Sequence, residues 1–133
     1  MKQSLLRSLL LLDAVVLFWL GASLILIPSR AEAIFGFHDL PRAVGYMLGL
    51  WGSVFVTLAL GYAIAARDPI RHVAWVQVGI ARGSLECIVG AVYLAQGIVT
   101  FQQSAFGIVI AAAITLAYIV LYPSQSQSAA SAA

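Results

Sequence analysis

Three ionisable side chains interrupt otherwise apolar stretches of this 133-residue chain, at Asp13, Arg82 and Glu86. A charged group near the centre of a membrane-spanning helix costs about 2.5 kcal/mol or more unless a partner or water compensates it. Arg82 and Glu86 are four residues apart, a spacing that places both on one face of a helix and lets them pair. Because ionisable residues in such segments are functional candidates, these three are the predicted ligand-binding or proton-binding residues.

The depths of these residues allow them to meet. Arg82 lies about 12 residues, or roughly 18 Å, into its apolar segment, and Asp13 lies about eight residues into another that runs in the same direction. In one interpretation the cluster lines a cavity that binds a polar ligand, a proton or a quinone headgroup. In the other, Arg82 and Glu86 only satisfy each other and fix the register of the helices. Both interpretations stay open at this point.

Other residue types that could carry chemistry are few. His38 and His72 could each ligate haem or a chlorophyll magnesium, but they do not form a pair across two segments at matching depth. The single cysteine, Cys87, excludes an intramolecular disulfide and a site with several thiolates, and its position favours a role as a small packing residue. We therefore expect no catalytic residues, no metal site, no cofactor and no enzymatic activity.

The elements that would position the cluster follow from composition. Hydrophobic residues make up 62% of the chain and charged residues 9%, whereas soluble domains carry about a quarter charged residues. A span needs about 20 apolar residues, and a helix satisfies its own backbone in lipid. The sequence predicts an all-α integral membrane four-helix bundle in a domain over residues 1–123, followed by a disordered tail over 124–133. The predicted spans are 5–27, 42–66, 70–98 and 105–122.

The first span and the loop after it need separate interpretation. Lys2, Arg7 and the apolar run resemble a signal peptide, but the run is long enough to span and lacks a small-residue cleavage site, so we expect an uncleaved helix. In the loop, residues 29–32 have the spacing of a capping box. Apolar residues then follow at positions 34, 35 and 37. The pattern predicts a short interfacial helix, with an ordinary connector as the alternative.

Small residues recur every fourth position and predict helix packing, because close backbone approach drives association in lipid. Such contacts could lie within the bundle or with a partner helix. Tyrosines near the span ends, among them Tyr62 and Tyr118, are typical of interfacial aromatic belts. The predicted helix-packing residues are Gly45, Gly49 and Ser53 in the second span and Gly79 and Gly83 in the third.

The basic residues predict an orientation. Lys2, Arg7, Arg67 and Arg71 fall on one side of the membrane, and Arg30 and Arg42 fall on the other. The positive-inside rule then favours both termini in the cytoplasm, and we expect a bacterial inner membrane. The formal charge of +2 is scattered rather than clustered, so nucleic acid is not an expected partner.

Two segments resemble the bacterial DoxX-like four-span membrane proteins, namely Ile34-Phe35-Gly36-Phe37 and Arg82-Gly83-Ser84-Leu85-Glu86. The resemblance implies an accessory protein, since some members are associated with quinone-linked respiratory complexes, and it assigns no catalytic residue.

Two functions remain open. The leading expectation is a non-catalytic accessory or assembly subunit of a larger membrane complex. The alternative is a small homo-oligomeric transporter or lipid-phase ligand-binding protein that uses Asp13, Arg82 and Glu86. In either case the expected partners are the lipid bilayer and a membrane protein or a second copy of the chain.

Overall fold

The computed structural model describes residues 1–34, 36 and 41–123, and this part of the chain is helical without strands. The predicted tail over 124–133, His38, Phe35 and Phe37 lie outside the described residues. The five helices are α1 (Lys2–Leu26), α2 (Pro28–Ile34), α3 (Arg42–Ala65), α4 (Val73–Ala95) and α5 (Phe101–Val120).

Four of these helices, α1, α3, α4 and α5, are long and apolar enough to cross a membrane. Each also exposes large apolar side chains, such as Trp19, Leu50, Leu85 and Phe106, which a lipid environment would cover favourably. The chain is therefore a small integral membrane protein. The predicted all-α four-helix bundle is confirmed.

The short helix α2 follows α1 almost without a break. The amide of Ile27 still donates to the carbonyl of Ser23 at 2.9 Å, and the new helix begins at Pro28. Proline suits this first position because its missing amide hydrogen would have no partner there in any case. The loop thus contains the predicted short helix. The Glu32 side chain of the predicted capping box lies outside the described residues.

Two local motifs set the ends of α4 and α5. Gly97 has φ +69°, and the amides of Gly97 and Ile98 donate to the carbonyls of Leu94 and Tyr93, a Schellman motif that ends α4 at Ala95. The Thr100 hydroxyl then accepts from the amide of Gln103, whose side chain accepts from the amide of Thr100. This capping box starts α5 at Phe101. The connection is consequently shorter than the one predicted between residues 98 and 105.

The spans associate as two pairs, α1 with α3 and α4 with α5, and the two pairs meet mainly at one end of the bundle. That end contains the start of α1, the end of α3, the start of α4 and the end of α5. Its largest buried side chains are those of Tyr62, Tyr118, Leu6, Leu10, Val76 and Asp13.

Glycines allow close approach within each pair. A Cβ atom on Gly21 would lie 2.6 Å from the carbonyl oxygen of Gly52, and one on Gly52 would lie 2.6 Å from that of Gly21. Between α4 and α5, a Cβ on Gly79 would meet the Tyr118 ring at 2.7 Å, and one on Gly83 would overlap the Thr115 hydroxyl. Two of the predicted packing residues, Gly79 and Gly83, thus lie against α5.

The predicted packing residues of the second span lie elsewhere. Within the described part of the chain, a Cβ on Gly49 would have no heavy atom within 4 Å, and one on Gly45 would approach Pro28 at 3.9 Å. Ser53 is exposed and donates to the carbonyl of Leu50 within its own helix. Within this chain, α3 approaches α1 most closely through Gly52, which falls between the positions of the predicted stripe.

Candidate functional site

The centre of the site is a buried ion pair between α1 and α4. The Arg82 Nη2 atom donates to Asp13 Oδ1 at 2.9 Å and to Asp13 Oδ2 at 3.1 Å. The Asp13 side chain is 1% exposed and that of Arg82 is 14% exposed. Removing either partner would leave an uncompensated charge among apolar side chains, so this pair ties the two helix pairs together.

Two tyrosines complete the surroundings of the pair. The Tyr118 hydroxyl on α5 donates to Asp13 Oδ2 at 3.0 Å, so the carboxylate receives hydrogen bonds from two helices. The Tyr62 ring on α3 stacks against that of Tyr118, with centroids 6.3 Å apart, and its own centroid is 5.4 Å from the Arg82 Cζ atom. A guanidinium at this distance is attracted by the ring quadrupole. All four spans therefore contribute to the cluster.

Glu86 has a different environment from Asp13. Its Oε1 atom is 3.4 Å from Arg82 Nε, and its side chain is 45% exposed. The three predicted residues are thus brought together, with Asp13 as the close partner of Arg82 and Glu86 at the edge. Among the described residues, Arg82 Nε, Arg82 Nη1 and the Tyr62 hydroxyl are buried without a hydrogen-bond partner. The guanidinium thus has donors that Asp13 does not use.

Beside Arg82 and Glu86 lies a cavity of about 520 Å³ between α4, α5 and Trp51 of α3. It exists because the two helix pairs meet at the other end of the bundle and separate here. The cavity is open to the surroundings of the helices, and its size falls in the range of small-molecule sites, about 300–1,000 Å³. Apolar side chains cover most of its wall, among them Leu85, Val89 and Ile108.

At the far end of the same cavity, Gln103 and Ser104 provide polar groups. Gln103 is fixed on both sides, since its Oε1 accepts from Thr100 and its Nε2 donates to the carbonyl of Gly36 at 3.1 Å. That bond ties the first loop to the start of α5. The cavity is accordingly an apolar cleft with a charged end and a polar end, which would suit an amphipathic molecule.

Sequence reasoning missed the role of both tyrosines. Tyr62 and Tyr118 were expected in interfacial belts, and that interpretation is wrong because both are 0% exposed and pack around Asp13. A signal was present for both. Ala111, Thr115 and Tyr118 are spaced i, i+4 and i+7, so Tyr118 continues the small-residue face that lies against α4. Ala59, Tyr62 and Ala66 at the end of α3 have the comparable spacing i, i+3 and i+7, and all three are buried.

The remaining candidates lie away from the cluster. The ring of His72 contacts the carbonyl of Asp68 through Nδ1 at 3.0 Å, in the connection between α3 and α4. Cys87 faces α5, with its sulfur 3.7 Å from the carbonyl oxygen of Ile108. In the part of the chain that the structure describes, no group of three or more His, Cys, Asp or Glu side chains could hold a metal ion.

Comparison of the chain with family models, curated proteins and solved structures finds no match. The resemblance to DoxX-like proteins therefore stays a prediction, and arguments about function rest on the cluster and the cleft.

Proposed function

We propose that this chain is a non-catalytic membrane protein that binds an uncharged, amphipathic lipid-phase molecule in the cleft beside Arg82 and Glu86. The observation that carries the proposal is the cleft itself, an apolar wall on α4 and α5 that ends at an arginine and a half-exposed glutamate. Its open side gives access from the bilayer, where such a ligand would be dissolved.

The polar end would provide the selectivity. Lipid tails are as apolar as Leu85, Val89 and Ile108, so moving an alkyl chain from the bilayer into the cleft gains little free energy. Hydrogen bonds at a low local dielectric are worth more than in water. A ligand would therefore be distinguished from bulk lipid by its hydrogen bonds with Glu86, whose side chain is 45% exposed.

Charge balance argues against an anionic headgroup. Arg82 faces two carboxyl groups, Asp13 at 2.9 Å and Glu86 at 3.4 Å, so the cluster has no spare positive charge. Two like unit charges 4 Å apart repel by about 4 kcal/mol at an effective dielectric of 20. A hydroxyl can accept from a guanidinium and donate to a carboxylate without that repulsion.

The experiment is photolabelling of the protein in lipid nanodiscs with a long-chain alcohol that carries a diazirine. We expect labelled peptides to contain Leu85, Val89 or Ile108. Gly107 lines the cleft, and among the described residues no atom lies within 4 Å of a Cβ built there, so Gly107→Leu should place its side chain in the cleft. Labelling should fall several-fold in that variant and about as much in Glu86→Leu.

Ala113→Leu is the matched control, because Ala113 is an exposed residue of α5 that does not line the cleft. Its labelling should equal that of the unmodified protein. A fatty acid with the same chain and diazirine should label the cleft less than the alcohol. Labels spread evenly over the lipid-facing surface, or labelling that ignores Gly107→Leu, would contradict the proposal.

A second candidate function, the accessory or assembly subunit, is favoured by one separate observation. Among the described residues, only Pro28 comes within 4 Å of a Cβ built on Gly45 and none does for Gly49, and small residues allow a foreign helix to approach closely. Purification in a mild detergent should then recover a stoichiometric membrane-protein partner, which Gly49→Leu should remove and Gly107→Leu should retain. A homodimer without other proteins would argue against this candidate.

We also propose a bacterial inner membrane location with both termini in the cytoplasm. The support is the excess of basic residues at the end of the bundle where α1 begins and α3 ends.

A further inference from the structure

Two arginines from distant parts of the sequence share a pocket at the end of the bundle where α1 begins. Arg7 is on the second turn of α1, and Arg67 is in the connection between α3 and α4. The pocket has a volume of about 330 Å³ and is otherwise lined by Met1, Gln3, Ser4 and Pro69. It lies beyond the Asp13 cluster, at the end of the bundle opposite to the cleft.

The charges in this pocket are not neutralised by the chain. Within the described residues, no carboxylate oxygen lies within 4 Å of the Arg7 or Arg67 guanidinium. The neighbouring carboxylate, that of Asp68, accepts from the backbone amide of Arg71. Two exposed guanidinium groups that face a common space repel each other, and an anion between them would remove that repulsion.

We infer that this pocket binds the phosphate headgroup of an anionic phospholipid. Guanidinium groups match phosphate oxygens in geometry and charge, and serine and glutamine side chains of the same pocket can donate further hydrogen bonds. Basic pockets between transmembrane helices at one membrane face are suited to such headgroups.

The position of the pocket identifies a lipid as the source of the phosphate. Met1 and Arg67 of the pocket lie just outside the ends of α1 and α3, so the pocket is at the level where lipid headgroups lie. On the same face of α1, one and two turns beyond Arg7, Leu11 is 43% exposed and Val15 is 56% exposed. These side chains continue along α1 into the bilayer, so acyl chains attached to a headgroup in the pocket would have an apolar path.

The test is native mass spectrometry of the full chain in detergent with phosphatidylglycerol and with phosphatidylcholine of the same acyl chains. We expect phosphatidylglycerol to bind preferentially. Arg7→Gln/Arg67→Gln should lower its affinity about 30-fold and remove the preference. Binding of phosphatidylcholine should not change, which also serves to show that the variant is folded.

Lys2→Gln/Arg71→Gln is the matched control, since it removes the same charge from the same end of the bundle and alters no residue that lines the pocket. It should retain the preference for phosphatidylglycerol. Equal loss in both double variants would overturn the inference in favour of a diffuse attraction. Displacement of the lipid by millimolar inorganic phosphate would overturn the assignment to a lipid.

Discussion

Asp13 and Arg82 bond to each other in a largely apolar environment, so the effect of removing one depends on whether the other is still present. Arg82→Met should lower the free energy of unfolding by about 3–5 kcal/mol, because it leaves the buried Asp13 carboxylate without a cation. Asp13→Leu should cost less, because Glu86 Oε1 still lies 3.4 Å from Arg82 Nε. The double variant should lose less than the sum of the two single variants. Unfolding titrations in mixed detergent micelles would measure all three.

Glu86→Gln serves as the control for the Asp13 and Arg82 variants. Its side chain is 45% exposed, and Arg82 would still be neutralised by Asp13, so the stability should change little. Effects of Asp13→Leu and Arg82→Met that simply add in the double variant would show that the two side chains do not interact.

Tyr118 contributes a hydrogen bond to a charged acceptor, a type worth about 1.5–3 kcal/mol. Tyr118→Phe removes only the hydroxyl, so the loss of stability should fall in that range. Tyr122→Phe is a suitable comparison, because its hydroxyl accepts from Gln77 at an exposed position and should matter less. Equal losses of stability in Tyr118→Phe and Tyr122→Phe would mean that the hydrogen bond to Asp13 stabilises the protein no more than the exposed one from Gln77.

For the individual residues of the site, the sequence indicated which side chains carry charge but not which of them pair. Spacing along one helix revealed Arg82 and Glu86, because that relation is local. The closer contact, between Arg82 and Asp13, joins residues 69 positions apart and depends on how the helix pairs dock. The same holds for Tyr62 and Tyr118, which meet only once α3 and α5 are in place.

For the helices, substitution of a glycine at a helix contact and of a glycine on an open face should change the stability in opposite directions. A Cβ on Gly83 would overlap the Thr115 hydroxyl and lie 3.1 Å from the carbonyl oxygen of Ala111. Gly83→Ala should therefore cost about 1–3 kcal/mol of stability, measured by the same titrations. Adding Thr115→Ala should restore part of the loss, because it removes the hydroxyl.

Gly49→Ala is the counterpart, since no atom of the described residues would lie within 4 Å of its Cβ. Alanine is favoured over glycine in a helix, so the isolated chain should keep or gain stability. A comparable loss in Gly49→Ala and Gly83→Ala would contradict the contacts described between α4 and α5.

The helices themselves were predictable because lipid leaves few alternatives to a helix for an apolar segment. The ends of the helices were less predictable, although signals for them exist in the sequence. Gly97 ends α4 in a left-handed conformation, and Thr100 with Gln103 has the spacing of a capping box. An apolar count cannot detect either motif, since both depend on single residues outside the run.

For the molecule as a whole, the orientation can be tested with cysteines in a Cys87→Ser background. Gln3 and Gln96 are exposed and lie at opposite ends of the bundle. A membrane-impermeant maleimide added to intact bacterial cells should label Gln96→Cys and should label Gln3→Cys only after the membrane is permeabilised. The reverse pattern would place the termini outside.

The cleft is a property of the whole molecule, and no local sequence pattern predicts it. It forms because the buried side chains concentrate where α1 begins and α3 ends, so that the two helix pairs separate towards the other face. Four apolar segments in sequence are compatible with a bundle that is closed along its full length. How the α4–α5 pair docks on the α1–α3 pair decides whether the bundle is closed along its length or opens into a cleft.

The pairing of Asp13 with Arg82 also has a consequence for biosynthesis. Arg82 follows Asp13 by 69 positions, which take about 3–14 s to synthesise at 5–20 residues per second. During that interval α1 and α3 can already associate through Gly21 and Gly52, while the aspartate has no arginine to meet. The Asp13 carboxylate of the nascent chain therefore lacks its cationic partner until α4 emerges from the ribosome. The ion pair can join the α1–α3 pair to the α4–α5 pair only once Arg82 is present.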